Sequence, residues 1–161
     1  MNWQEVCAHP SLQNLPFKIE LNSRGQIIMS PAKIAHAAYQ GEITFQLRLL
    51  GSHLGKVLTE CAVATPQGTK VADVAWASRA RFTIIKGETE CSVAPEICVE
   101  VVSASNTQEE MKEKRALYLA QGAQEVWFCD EYGTIRFYDE QGELAQSTMF
   151  PTFLRRIELD D

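Results

Sequence analysis

Ile97-Cys98-Val99-Glu100-Val101-Val102 is an apolar run interrupted by one carboxylate. Apart from Glu100, both alternating sets of positions are apolar, so neither face of this strand reads as solvent-facing. A segment of that kind belongs in the middle of a sheet covered on both sides. A carboxylate does not sit there by default, because its desolvation opposes folding by several kcal/mol unless a cation, a metal or several donors compensate. The ordinary alternative is a buried salt bridge or a strand-end position at solvent.

Reading outward from this strand gives the rest of the architecture. Downstream, Ser103–Thr107 is a polar break, Gln108–Gln121 reads as a helix ended by Gly122, and Gln124–Cys129 with Thr134–Tyr138 form a hairpin through Asp130–Gly133. Upstream, Arg81–Ile85 reads as a short strand, while Lys56–Ala64 and Val71–Ala77 are β-like runs joined by Pro66-Gln67-Gly68. Further back, Lys33–Leu54 is a long Pro-free stretch of helix formers. On a helical wheel Ile34, Ala38, Phe45 and Leu49 share one arc, and Ile43, Leu47, Leu50 and Leu54 lie nearly opposite, so burial on two sides is expected. At the start, Phe17–Leu21 and Gln26–Met29 flank Asn22-Ser23-Arg24-Gly25 as a β-hairpin. The order predicts an α/β or α+β fold: a mixed central β-sheet flanked by helices, with an N-terminal β-hairpin.

The chain has 161 residues, 45% hydrophobic and 22% charged, which suits a single domain over residues 1–161. Its longest apolar run is too short to cross a bilayer, and Met1–Pro10 lacks the features of a signal peptide, so a cytoplasmic protein with no membrane partner is expected. The five cysteines are dispersed, with no C-x-x-C pair, which argues against a disulfide scaffold or structural zinc. The net charge of −6 argues against coating nucleic acid by charge alone. The charge is uneven, however: residues 1–88 hold nine Lys+Arg against six Asp+Glu, and residues 89–161 six against fifteen. A polyanion-binding face on the first half remains open.

Asp73, in Val71-Ala72-Asp73-Val74-Ala75-Trp76, repeats the pattern of Glu100, a carboxylate where strand propensity disfavours it. Two such carboxylates on separate strands of one sheet can converge on Mg²⁺, a hard ion that takes oxygen ligands and keeps several waters. On the wheel of the following helix, Lys114 falls in one arc with Met111, Leu117, Tyr118 and Gln121, while Lys112 points elsewhere. Lys114 thus faces inward, able to reach a buried anion while its stem packs on apolar neighbours. Glu42, bordering the Phe45/Leu49 arc of the first helix, is a further candidate for the same cleft. His36 lies nearby, without an assigned role.

The arrangement Asp73, Glu100, Lys114 on strand, strand and following helix resembles the PD-(D/E)XK nuclease superfamily. More closely, the chain resembles a bacterial restriction endonuclease family, a domain of unknown function. The likeness is carried by Ile28-Met29-Ser30-Pro31 with His36, by Val71–Trp76, by Ala94–Ser103, and by Lys114-Arg115-Ala116-Leu117-Tyr118 followed by Gly122–Phe128 and Asp130. It runs from the first hairpin to about Phe153. Two departures stand out: Ala72 where the pattern favours proline, and Val102 where the superfamily motif has its lysine. The resemblance implies that Lys114 substitutes for that lysine. It further implies a Mg²⁺-dependent phosphodiesterase acting on DNA, with Mn²⁺ as substitute, in which Asp73, Glu100 and the Val101 carbonyl hold the ion. Arg79, Arg81 and Lys86 would contact the nucleic-acid backbone. Homodimerisation would suit cutting both strands.

The competing reading is a non-catalytic module that keeps the nuclease fold for protein or nucleic-acid binding, its polar trio being structural. Hydrolysis at Cys98 is set aside, because no histidine neighbours it in sequence and an apolar surround keeps a thiol inert.

Overall fold

The strand around Glu100 does lie inside a sheet. The computed structural model describes residues 1–160, and in it β5 (Ile97–Val101) is buried at every position, as is its parallel neighbour β6 (Glu125–Cys129). A parallel pair needs a crossover, and α4 (Gln108–Ala120) supplies it. Its start is fixed by a capping box in which the Thr107 side chain accepts the Glu110 N–H while Glu110 reaches back to Thr107 N.

On one side of β5 lie β4 (Gly68–Ser78), antiparallel to it, and then β3 (Gly55–Thr65), antiparallel to β4. On the other, β6 is followed by β7 (Ile135–Asp139) and the short β8 (Gly142–Leu144), giving the order β3-β4-β5-β6-β7-β8. The helix α2 (Ile34–Gly51) covers one face through Tyr39, Ile43 and Leu47, packed with Val74, Trp76, Ile97, Val99 and Trp127. The other face carries α4 and α3 (Arg79–Ile85), with Ile85 and Tyr118 against Ala75, Ala77, Cys98 and Val126. This is the expected mixed sheet flanked by helices. The hairpin of β1 (Phe17–Leu21) and β2 (Ile27–Pro31) forms a separate two-stranded sheet, and its first strand lies against β4. A short α1 (Trp3–Ala8), unforeseen like β8, precedes it. No described helix is long and apolar enough to cross a membrane.

Two expectations are corrected. Arg81–Ile85 is not a strand but most of α3: Ser78 accepts the Arg81 N–H at 3.1 Å and starts a helix that the β-branched run Thr83-Ile84-Ile85 concealed. The helix α2 is buried on one side, not two. Ile34, Phe45 and Leu49 are 89%, 55% and 62% exposed, because they lie on the arc of α2 turned away from the sheet and from the core that Ile43 and Leu47 enter.

Candidate active site

The site begins as a fault in the sheet. The β4–β5 ladder stops at the pair Val74↔Val99, and the β3–β4 ladder runs through Thr59↔Val74 and Cys61↔Ala72 but omits Glu60 and Asp73. Glu60 is in the left-handed region, with φ 52°. Released from both neighbours, Asp73 is bonded by side-chain geometry instead. Its Oδ2 accepts the Val101 N–H at 2.7 Å, and its carbonyl accepts the Gln40 amide at 2.8 Å, the same amide that donates to Glu60 at 2.8 Å. Substituting for ladder bonds satisfies the buried backbone while opening the strands where the carboxylate sits.

Into this gap come groups from three elements. Lys18 of β1 places its Nζ 3.2 Å from Asp73 Oδ1 and 2.9 Å from Glu100 Oε2. Lys114 of α4 lies 2.9 Å from Glu20 and 3.2 Å from Glu100 Oε1, and the Tyr118 hydroxyl donates to the same Oε1 at 2.7 Å. Glu20 in turn accepts the Val71 N–H at 2.7 Å, which pins the hairpin to β4. His36 of α2 faces Asp73 Oδ2 at 3.4 Å through Nε2, while its Nδ1 is buried without a partner among the described residues. Asp73 is 0% and Glu100 2% exposed, at the base of a cleft of about 570 Å³ that Phe17, Met29, Lys33, Ser103 and Asn106 help to line.

The two carboxylates differ in environment. Burial raises the Glu100 pKa, with Lys114 and Lys18 pulling against it and Asp73 adding to it. At Asp73 burial is outweighed by the bond from His36, the Lys18 charge and the Val101 N–H, which together hold the carboxyl well below its ordinary range. Burial disfavours the Lys18 ammonium, but Glu100, Asp73 and Glu20 more than compensate and lift its pKa.

The structure brings Asp73, Glu100, Val101 and Lys114 together, and Lys112 points to solvent, mostly exposed, as the helix phase predicts. It separates the others. Glu42 is exposed and outside the cleft. Arg79, Arg81 and Lys86 follow the far end of β4, beside the start of β5 rather than its carboxylate end. Arg79 bonds the His53 carbonyl and Arg81 the carbonyls of Ala94 and Gly122, so these two side chains brace loops, and Lys86 is exposed away from the cleft. Lys18, Glu20 and Gln40 escaped the sequence reading. The signal in Phe17-Lys18-Ile19-Glu20-Leu21 is plain alternation, which by itself turns charges outward, and here the charged set faces in.

Among the described residues no three His, Cys, Asp or Glu side chains form a ready-made metal cage. The donor set nonetheless fits a hard divalent ion, which is held by one or two carboxylates plus waters. Asp73 and Glu100 already converge on one cationic nitrogen. The Val101 carbonyl is on the β4 side like its N–H, since both groups of a strand residue point the same way.

Residues 3–159 match a family model, Uma2, described as "Putative restriction endonuclease". The fold is similar to the crystal structure of a "putative nuclease belonging to DUF820" from Anabaena variabilis ATCC 29413, with a TM-score of 0.74 and 19% identity, over 96% of this chain and 93% of that one. No curated protein matches the chain.

Proposed function

The chain belongs to the Uma2 family of putative restriction endonucleases, and from that premise we propose that it is a divalent-metal-dependent nuclease hydrolysing phosphodiester bonds in DNA. The observation that carries this reading is the convergence of Asp73 and Glu100 on a single cationic point at the base of an open cleft. Asp73, Glu100 and the Val101 carbonyl would hold Mg²⁺, which when bound lowers the pKa of its water and shields charge developing on the phosphate. The chain's own groups do the rest. Val101 N–H, His36 and Gln40 fix Asp73 so that its Oδ1 faces the cleft. Tyr118 and Lys114 hold Glu100 from the α4 side, and Lys114, anchored by Glu20, retains a donor for an attacking water or a phosphate oxygen. A second copy of the chain would provide the cut in the other strand.

Calorimetric titration with Mg²⁺ or Mn²⁺ is the direct test. Binding is expected in the wild type and should weaken at least about tenfold in Asp73→Asn, which removes the ligand charge. No binding, or equal binding by both, sinks the nuclease reading. Plasmid cleavage should be lost in Lys114→Ala with metal binding retained, and should be little changed in Lys112→Ala, whose side chain is mostly exposed. Equal losses from both would contradict the assigned role. The non-catalytic reading draws on one observation, the Lys18 ammonium that already balances both carboxylates. Metal-independent stability together with absent cleavage would favour it.

A further inference from the structure

We propose that Lys18 holds, with its own ammonium, the point where Asp73 and Glu100 would bind a divalent ion, so that metal occupancy requires this side chain to swing out into the cleft. The inference rests on the metal-dependent reading above and adds to it a residue from the hairpin. Among the described residues Lys18 alone spans the pair, 3.2 Å from Asp73 Oδ1 and 2.9 Å from Glu100 Oε2. Lys114 does not, being tied to Glu20 at 2.9 Å and touching only the other oxygen of Glu100. A dication and an ammonium compete for the same two oxygens: a metal in contact with both carboxylates neutralises the pair and repels the ammonium, cancelling most of what held Lys18 there. One cation therefore excludes the other.

The structure gives Lys18 somewhere to go. Its strand belongs to the two-stranded hairpin rather than the six-stranded sheet, its stem has four rotatable bonds, and it lines an open cleft of about 570 Å³. Swung outward, the ammonium faces the space a phosphate would fill, so an anionic substrate offers the partner that Lys18 loses to the metal.

Titration of Mn²⁺ into wild type, Lys18→Met and Lys18→Arg tests the exclusion by calorimetry. Lys18→Met should bind Mn²⁺ about tenfold tighter than wild type or better, because the competing charge is gone. Lys18→Arg, which keeps the charge, should stay within a few-fold of wild type. Equal or weaker binding by Lys18→Met, or a gain in Lys18→Arg as large as in Lys18→Met, overturns the proposal and leaves the metal-dependent reading standing. Absence of binding in all three chains overturns both. Should the neutral variant fail to fold with its carboxylates unbalanced, the wild type still decides. Its Lys18 ammonium resonance, assigned by its loss in Lys18→Arg, should move when Mg²⁺ saturates the site, and an unmoved resonance in the saturated protein overturns the exclusion.

Discussion

Asp73 shows how much of a site can depend on backbone irregularity. A carboxylate in an undisturbed ladder would be flanked by paired strands. Here the omitted Glu60/Asp73 pair and the early end of the β4–β5 ladder leave its backbone and side chain to be bonded by Gln40, Val101 and His36. Gln40→Ala should therefore destabilise the chain by about 1–3 kcal/mol, the penalty for orphaning a buried carbonyl, as read by urea unfolding. Because the Asp73 pKa is depressed in the fold, its contribution to stability is complete above the ordinary carboxylate pKa and fades as pH falls below that value toward the depressed one. Glu100 and Asp73 were legible as charges out of place because an apolar strand run makes any carboxylate conspicuous. Lys18 and Gln40 were not, since a lysine in an alternating strand and a glutamine in a helix are ordinary until the fold sets them beside a partner.

Helices fared better where their apolar stripe has one period and one packing surface. In α4 the arc through Met111, Lys114, Leu117 and Tyr118 was readable and points inward, with Tyr118 fully buried. In α2 the wheel offered two apolar arcs, and only the sheet could choose between them: Ile43 and Leu47 are buried, Phe45 and Leu49 exposed. Gly41 lies in the middle of this helix, and a methyl group added there meets nothing within 4 Å. Gly41→Ala should accordingly raise stability by about 0.5–1 kcal/mol, measured as a rise in thermal midpoint, because it removes backbone freedom from the unfolded chain without a clash. In α3 the opposite holds: β-branched residues favour strands only weakly, and here they sit in a helix capped by Ser78 and packed through Ile85 and Phe82.

At the scale of the whole molecule, the sheet separates two apolar cores, and the segment after Ala145 is tied to the first of them by a buried acid as well as by backbone bonds between Ile135 and Arg155 and between Ile157 and Gly133. Glu125 on β6 accepts Trp127 Nε1 at 2.9 Å and the backbone N–H groups of Thr148 and Met149 at 3.0 and 3.1 Å. That segment leads to Phe150 and Phe153, which pack beside Trp76 and Trp127. Glu125→Ala should weaken the fold by about 3 kcal/mol and speed amide exchange after Ala145, seen by mass spectrometry, since three donors lose their acceptor together. The sequence by itself determined the fold class, the central strand, the two buried carboxylates and the phase of Lys114, because hydrophobic period and misplaced charge are local properties of the chain. Only the tertiary structure decided which face of α2 is covered and which cations stand against Asp73 and Glu100. It also drew Lys18 and Glu20 into the cleft and left Arg79, Arg81 and Lys86 outside, because those outcomes depend on how separate elements dock, and docking satisfies charges across spans of sequence that no local pattern encodes.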